Sequence, residues 1–294
     1  MLRANATVAV VAPGGMVKTG DLESGINLLV QWGFNVVPGK HARDRHLFHA
    51  GALKDRAADL VWALSDPAID AVWLARGGYG CSHCLPAISG KPFDNRPVIG
   101  FSDATALFCA LSKSGHTGLV HGPVLGGLAE KVDEATRTRV HELLLGRKLD
   151  PIPGRHMCGP NVVISGPLVG GNLCMMASLA GTPWALDARG AILVLEDVGE
   201  AAYRVHRLIK QLVFSGAFEG VKAVALGEFV SCSVPEGSGF SMEEVLIDAL
   251  APLGLPVFAG FAIGHGARNL AWRWGAQAVL EDGGLHFAQQ AWVP

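Results

Sequence analysis

Apolar residues along the first half of the chain fall into two alternating patterns. Short, continuously apolar runs predict strands at residues 8–12, 35–38, 71–75 and 98–101, and helical spacing predicts helices at 22–33, 53–65 and 104–112. Buried strands that alternate with helices are typical of a parallel sheet covered on both faces. Such sheets place their functional sites beyond the carboxyl ends of the strands, where this chain has Gly-rich turns.

The second half of the chain has a different texture. Pro and Gly accumulate without periodicity around residues 149–170, and beyond them strands are predicted at 192–195, 223–226 and 257–263, with a helix at 202–214. We therefore place a linker at 151–166, between an N-terminal domain at 1–150 and a C-terminal domain at 167–294. The expected fold is α/β, with an N-terminal flavodoxin-like parallel-sheet domain and a smaller C-terminal domain that is mixed α+β and barrel-like.

Composition and charge narrow the class of partner. The chain has 294 residues, of which 50% are hydrophobic and 17% charged, and this suits two medium-sized globular domains. Its formal net charge is −2 and it has no long basic run, so neither nucleic acid nor an anionic membrane is expected as a partner. Residues 1–5 lead directly into the first strand and no 18-residue uncharged apolar span follows, which predicts a cytoplasmic protein. A small uncharged or zwitterionic partner is favoured.

The cysteines are scattered and predict no disulfide framework. They are Cys81, Cys84, Cys109, Cys158, Cys174 and Cys232. Several lie in apolar segments, where a free cysteine packs as a small hydrophobic residue. Cys81-Ser82-His83-Cys84 is a single C-x-x-C pair that lacks the other two ligands of a zinc site, so metal or redox chemistry is a minor alternative. We expect no metal and no cofactor.

The segment Pro97-Val98-Ile99-Gly100-Phe101-Ser102-Asp103-Ala104-Thr105 is apolar up to a serine and then continues as a helix. A serine on a sharp strand-to-helix turn has a strained backbone, which requires small residues two positions before and after it. Gly100 and Ala104 meet this requirement around Ser102. Amide groups at the start of the following helix would face the hydroxyl and could hold an oxyanion. The alternative is an ordinary helix whose N-cap is Ser102 or Asp103.

A serine nucleophile needs a general base, and the base needs a carboxylate that fixes its tautomer. Among the 11 histidines, His265 has the most site-like setting, because it stands between two glycines at the end of an apolar run. Glu196 follows the apolar run at 191–195 and is expected at a strand end. Asp197 is its rival, and Glu200 is expected in the first turn of the next helix, where an acid favours the dipole. Glu196 could instead only cap that helix.

A Gly-rich loop follows the predicted strand at 71–75. The loop Arg76-Gly77-Gly78-Tyr79-Gly80 lets the backbone approach a ligand closely, so it could complete an oxyanion hole or equally cradle a phosphate. Arg76, Gly77 and Tyr79 are therefore candidates for lining the substrate site.

Six motifs run through nearly the whole chain in a fixed order. They are Val11-Ala12-Pro13-Gly14, Ala75-Arg76-Gly77-Gly78-Tyr79-Gly80, Ile99-Gly100-Phe101-Ser102-Asp103, Gly170-Gly171-Asn172-Leu173, Leu195-Glu196-Asp197-Val198-Gly199-Glu200 with Tyr203-Arg204, and Gly264-His265-Gly266. This series resembles the serine LD-carboxypeptidases, a family that includes muropeptide-recycling enzymes and the microcin C immunity peptidases. The resemblance implies a Ser–His–Glu triad of Ser102, His265 and Glu196, with the amides of Gly78 and Asp103 as oxyanion donors. It also implies a two-domain, homodimeric cytoplasmic enzyme whose N-terminal domain holds the serine.

The expected function is that of a metal-independent serine carboxypeptidase that cleaves an L-to-D peptide bond. The expected reaction releases the terminal D-alanine of a cytoplasmic murein tetrapeptide in cell-wall recycling. One alternative is an immunity or detoxification peptidase that hydrolyses a microcin C-like peptidyl nucleotide. Another is a non-catalytic nucleotide- or phosphate-binding module, although the chain lacks the G-x-G-x-x-G spacing and a Walker lysine. Two departures from the family pattern, Cys174-Met175-Met176 and Arg273 in place of a proline, fall outside the triad.

Overall fold

A computed structural model describes residues 1–287 of the chain, which form two compact units. The first unit comprises Met1–Lys148 and Leu270–Arg273, and the second comprises Leu149–Asn269 together with the described residues from Trp274 onward. Residues 288–294, which the predicted C-terminal domain includes, lie outside the described residues.

The first unit is built on a six-stranded sheet. Its strands are β1 (Thr7–Val11), β2 (Asn35–Pro38), β3 (Ala71–Leu74), β4 (Val98–Gly100), β5 (Leu119–His121) and β11 (Trp272–Arg273). Strands β1 to β5 are parallel in the order β2-β1-β3-β4-β5, and β11 pairs with β5 in the antiparallel direction. The parallel part has the flavodoxin-like strand order, so the predicted class of the N-terminal half is confirmed.

Helices accompany this sheet. They are α1 (Thr19–Gln31), α2 (Leu53–Ser65), α3 (Cys81–Ile88), α4 (Ala104–Lys113), α5 (Leu125–Leu128) and α6 (Glu134–Leu144). Helices α1 to α4 connect successive parallel strands of the sheet, and α5 and α6 follow its last parallel strand. Strands β3, β4 and β5 are buried along their whole length. This explains why their sequences are continuously apolar rather than alternating.

The second unit is a closed barrel of seven strands. They are β6 (Ile152–Cys158), β7 (Ile164–Asn172), β8 (Ile192–Val198), β9 (Ala223–Val230), β10 (Val257–Ala259), β12 (Gln277–Glu281) and β13 (Gly283–Phe287). Their order is β10-β6-β13-β12-β7-β8-β9, with β7 to β10 parallel and the other pairings antiparallel. The mixed, barrel-like architecture expected for the second half is therefore confirmed.

Three helices accompany the barrel: α7 (Leu173–Leu179), α8 (Ala202–Phe214) and α9 (Met242–Leu250). Helix α8 matches its predicted bounds because its apolar residues keep helical spacing, and Val205, Ile209 and Leu212 are buried on one face. Among residues 1–287, no helix combines the length and the apolar character that a membrane span requires.

The segment predicted as a linker, residues 151–166, is not a linker in the structure. Ile152–Cys158 forms β6, which pairs with β10 and β13, and Ile164 begins β7. Pro153 and Gly154 lie within β6, and a Cβ at Gly154 would lie 2.4 Å from the ring of Phe261, so only glycine lets that ring pack against the strand. The units also divide differently from the predicted domains, since Leu270–Arg273 joins the first unit through β11.

The predicted strand at 257–263 is shorter than expected. Strand β10 ends at Ala259, and Gly260 follows with φ +86°, a left-handed conformation that takes the chain out of the sheet. His265 therefore lies on a loop after the strand and not at its tip.

Candidate active site

Ser102 forms a sharp turn between β4 and α4 in the first unit. Its φ is +63°, a left-handed conformation that costs a non-glycine residue about 1–3 kcal/mol. The turn is closed by the amide of Thr105, which donates to the carbonyl of Ser102 at 2.9 Å. A Cβ at Gly100 would lie 2.9 Å from Cδ1 of Leu74 and 3.0 Å from Cβ of Ala104, which shows why small residues flank the serine. The strained strand-to-helix turn predicted at Ser102, which we call the serine elbow, is therefore present.

Gly77 lies directly against this serine. A Cβ at Gly77 would approach Cβ of Ser102 to 3.0 Å and its Oγ to 3.2 Å. The amide of Gly15 donates to the carbonyl of Gly77 at 2.9 Å, and Gly78 has φ +92°. The first unit thus brings the Gly-rich loop and the serine elbow together, as the sequence predicts.

The other predicted loop residues lie at the surface. Nη1 of Arg76 donates to the carbonyl of Met16 at 2.6 Å, so the side chain bends back over residues that follow β1. Tyr79 is 47% exposed, and its hydroxyl lies 3.0 Å from Nε2 of His83. Its ring also packs near Phe48 and His49. Arg76 and Tyr79 can therefore present polar groups to a ligand beside the loop.

Asp103 places its backbone at the start of α4 and its side chain in the interior. The carboxyl is 1% exposed, and its Oδ2 accepts a hydrogen bond from the amide of Cys81 at 2.8 Å. Its Oδ1 has no hydrogen-bond partner among the residues that the structure describes. Burial raises the pKa of Asp103, although the bonds from Cys81 partly offset that rise.

A buried arginine that the sequence analysis did not single out holds the far end of the loop. Arg56 in α2 is 3% exposed, and its Nη1 donates to the carbonyl of Gly80 at 3.1 Å and to the carbonyl of Pro13. Nothing in the local sequence distinguishes Arg56 from the exposed charges of α2, because its partners are 24 and 43 residues away. A buried guanidinium that donates to two carbonyls stiffens both segments.

The C-x-x-C pair is part of the core at the start of α3. Cys81 and Cys84 are both buried, and burial raises the pKa of each thiol, for Cys84 to about 11. A protonated thiol is a poor metal ligand and a poor nucleophile. Within residues 1–287, no group of three or more His, Cys, Asp or Glu side chains is arranged to hold a metal ion.

In the second unit, Glu196 and His265 form a close pair. Nδ1 of His265 lies 2.7 Å from Oε2 of Glu196, and the glutamate side chain has no exposed surface. When Nδ1 carries the proton, the imidazole donates to the carboxylate and Nε2 is the basic nitrogen. The structure thus joins the two residues predicted as acid and base.

Glycines and one asparagine shape the surroundings of this pair. A Cβ at Gly264, whose φ is +132°, would lie 2.9 Å from Oε2 of Glu196, and a Cβ at Gly227 would lie 3.1 Å from Cβ of Glu196. The amide of Gly264 donates to Oδ1 of Asn269 at 3.1 Å, which fixes the loop that carries His265. Asn269 is a contribution that the sequence analysis did not identify.

Asp197, the rival of Glu196, has a different role. Its Oδ1 accepts from Nδ2 of Asn172 at 3.0 Å, and its Oδ2 accepts from the amide of Cys174 at 3.0 Å. Asn172 in turn caps α7 by accepting from the amide of Met175. Asp197 therefore fixes the start of α7, while the neighbouring Glu196 contacts His265.

The carboxyl group of Glu228 lies next to Gly266, in the loop that carries His265. Burial and the charge of Glu196 raise the pKa of Glu228 in β9, and the amide of Gly266 bonds to this carboxyl and lowers the pKa in part. Any side chain at Gly266 would collide with the carboxyl group of Glu228. Glu228 stands in an unremarkable strand sequence, so no local signal marks it.

Comparison with known proteins assigns the chain to a family. Residues 8–122 match the model of the LD-carboxypeptidase N-terminal domain, and residues 165–280 match that of the LD-carboxypeptidase C-terminal domain. The chain belongs to the LD-carboxypeptidase family. The resemblance seen in the six sequence motifs is thereby confirmed, and family membership makes the chain a peptidase.

Individual members of the LD-carboxypeptidase family are similar to this chain over most of their length. The murein tetrapeptide carboxypeptidase of Pseudomonas aeruginosa is 36% identical over 292 residues, which cover 95% of this chain and 94% of that protein. The crystal structure of the muramoyltetrapeptide carboxypeptidase from Oxalobacter formigenes matches with a TM-score of 0.79 and 28% identity, over 95% of this chain and 97% of that chain. The microcin C7 self-immunity protein MccF of Escherichia coli is 26% identical, over 86% of this chain and 83% of that protein.

Proposed function

We propose that this LD-carboxypeptidase is a metal-independent serine enzyme, in which Ser102 is the nucleophile, His265 the general base and Glu196 the carboxylate that orients it. The observation that carries the proposal is the 2.7 Å contact between Nδ1 of His265 and the buried Oε2 of Glu196. A carboxylate on Nδ1 fixes the tautomer in which Nε2 accepts a proton, and it stabilises the imidazolium that then forms. The sharp turn at Ser102 places this half-buried serine directly before the start of α4.

In the proposed mechanism, Nε2 of His265 takes the proton of Ser102 as Oγ attacks the scissile carbonyl. The negative charge that develops on the carbonyl oxygen is held by the backbone N–H groups of Gly78 and Asp103. His265 then gives the proton to the leaving amine. In the second half of the reaction, His265 takes a proton from the water that attacks the acyl-enzyme and returns it to Oγ of Ser102 as the product leaves. The mechanism requires Ser102 and His265 to come within hydrogen-bond reach, roughly 2.6–3.2 Å.

The proposed substrate is a cytoplasmic murein tetrapeptide, from which the enzyme releases the terminal D-alanine across an L-to-D bond during cell-wall recycling. Support comes from the Pseudomonas aeruginosa relative, which is named for this class of substrate and is 36% identical over nearly the whole chain. Arg76, Gly77 and Tyr79 are proposed to line the substrate site beside the serine elbow. The active form is proposed to be a homodimer. Size-exclusion chromatography coupled to light scattering would test this by measuring the molar mass of the protein in solution.

The decisive experiment compares the wild-type protein with Ser102→Ala on a mixture of muropeptides read by mass spectrometry. The wild type should remove alanine from tetrapeptides and leave tripeptides unchanged, while Ser102→Ala should lose activity by several orders of magnitude with an unchanged melting temperature. A fluorophosphonate probe should label the wild type and not the variant. Near-wild-type turnover by a folded Ser102→Ala sample would overturn the mechanism.

MccF-type hydrolysis of a peptidyl nucleotide is the second candidate, because MccF is 26% identical over most of its length. The same assay includes it if an aminoacyl sulfamoyl nucleoside is added as a competing substrate. If the enzyme cleaves that compound in preference to tetrapeptide, the proposed role changes from murein recycling to detoxification, and the proposed triad is unaffected. Labelling by the probe would in either case exclude a non-catalytic binding module.

A further inference from the structure

Asp103 stands at the N-cap of α4, but its side chain does not cap that helix. An aspartate at a helix N-cap ordinarily accepts a hydrogen bond from its own helix, two or three residues on. Asp103 is the N-cap of α4 and makes no such bond. Its carboxylate reaches instead to the amide of Cys81, the first residue of α3, at 2.8 Å. Asp103 therefore caps a neighbouring helix.

The amide of Cys81 stands at the end of the Gly-rich loop. Cys81 comes directly after the Gly77–Gly80 loop, so the bond from Asp103 fixes the end of the loop that carries Gly78. The backbone N–H of Asp103 itself belongs to the serine elbow. One residue thus joins the two segments that hold the proposed oxyanion donors.

Gly14 packs closely against the Asp103 carboxylate and the loop. A Cβ at Gly14 would lie 2.6 Å from Oδ2 of Asp103 and 2.9 Å from the carbonyl oxygen of Gly77. The loop is held independently at its start by Gly15 and at its end by Arg56. Asp103 adds a hydrogen bond between the elbow and the residue that directly follows this loop.

We propose that the Asp103 carboxylate is a positioning group that holds the amides of Gly78 and Asp103 in register for the oxyanion. The proposal rests on the proposed serine mechanism. It does not make the side chain a catalytic group, because the carboxylate acts through the Cys81 amide. A carboxylate suits this position because it carries negative charge to the positive end of α3.

The test compares Asp103→Ala with Asp103→Asn. Asp103→Ala removes the acceptor and should lower kcat about 10- to 100-fold with little change in KM, because the oxyanion exists only after the ground state. Asp103→Asn keeps a side-chain oxygen that can accept from Cys81, so it should recover most of the loss. The rate of fluorophosphonate labelling of Ser102 should fall and recover in parallel, since the phosphoryl oxygen of the probe takes the oxyanion position.

Two further variants separate positioning from stability. Gly14→Ala keeps Asp103 but pushes on its carboxylate and on the carbonyl of Gly77, so it should also slow kcat and labelling. Gly20→Ala, where no atom lies within 4 Å of the added methyl, should change neither. Cys109→Ala makes a cavity in the middle of α4 and should lower the melting temperature without lowering kcat.

Each result decides between the two proposals. If the wild type hydrolyses peptide and reacts with the probe, but Asp103→Ala and Gly14→Ala keep its kcat and labelling rate, the positioning role is wrong and the serine mechanism stands. The same holds if Asp103→Asn loses as much activity as Asp103→Ala. If the wild type neither hydrolyses peptide nor reacts with the probe, the serine mechanism itself fails.

Discussion

Oε2 of Glu196 lies 2.7 Å from Nδ1 of His265, and the side chain of Glu196 has no exposed surface. This pairing predicts a large effect of Glu196→Gln. The amide can present its NH2 group to Nδ1, which favours the tautomer with the proton on Nε2 and removes the base. By analogy with the corresponding change in Ser–His–Asp enzymes, kcat should fall about 10³- to 10⁴-fold.

Steady-state kinetics on a purified tetrapeptide would measure this loss, and circular dichroism would show that the fold is kept. Glu219→Gln, which changes an exposed glutamate in the same unit, is the matched control and should leave kcat unchanged. A Glu196→Gln enzyme with wild-type kcat would mean that the pair is structural and that another group serves His265.

Gly77→Ala tests the close approach of the loop to Ser102. The new methyl would lie 3.0 Å from Cβ of Ser102 and 3.2 Å from its Oγ, so either the loop or the serine must shift by a few tenths of an ångström. We expect kcat to fall about 10-fold or more, because reacting groups tolerate little displacement. The melting temperature should change little.

The matched control for Gly77→Ala is Gly20→Ala, whose added methyl meets no neighbouring atom within 4 Å. The kinetic constants of both variants should be measured on the same peptide. An unchanged kcat in Gly77→Ala would show that the loop does not contribute to the oxyanion site.

The elbow could be predicted because its signal is local. A strained serine requires small neighbours, and Gly100 and Ala104 stand within two residues of Ser102 in the sequence. The parallel sheet can also be predicted from local sequence, because strands that are buried on both faces have continuous apolar runs. Patterns of this kind depend on residues that are close together along the chain.

The supporting groups could not be predicted, because they act over long sequence separations. Arg56 reaches Pro13 across 43 residues, and Asp103 reaches Cys81 across 22. The linker prediction failed for a related reason: Gly154 is needed by the ring of Phe261, and no local pattern reveals that contact. His265 was identified from its flanking glycines, although the strand expected to carry it ends at Ala259.

Chelation provides a further prediction. Burial raises the pKa of Cys81 and Cys84, for Cys84 to about 11, so both thiols stay protonated at neutral pH and cannot readily bind zinc. Incubation with EDTA followed by dialysis should therefore leave peptidase activity unchanged. Activity that is lost on chelation and returns with zinc would establish a metal requirement and revive the Cys81–Cys84 alternative.

The last prediction concerns stability and pH at Asp103. Burial raises the pKa of this carboxyl above its ordinary value of 3.8, so in the window between that value and the raised one the folded state binds more protons than the unfolded state. The contribution of Asp103 to stability must therefore fall as pH rises through that window, and the cost remains above it. Asparagine cannot ionise and does not bear this cost.

The melting temperature of Asp103→Asn relative to wild type should therefore increase as pH is raised from about 4 to 7, even though the variant gains no activity. Asp94 is the control of opposite sign, because Arg96 lowers its pKa and the ion pair stabilises the fold above that range. Asp94→Asn should be less stable than wild type at neutral pH, and the deficit should shrink on acidification. A difference in melting temperature between Asp103→Asn and wild type that does not vary with pH would show that burial does not destabilise the ionised carboxyl of Asp103.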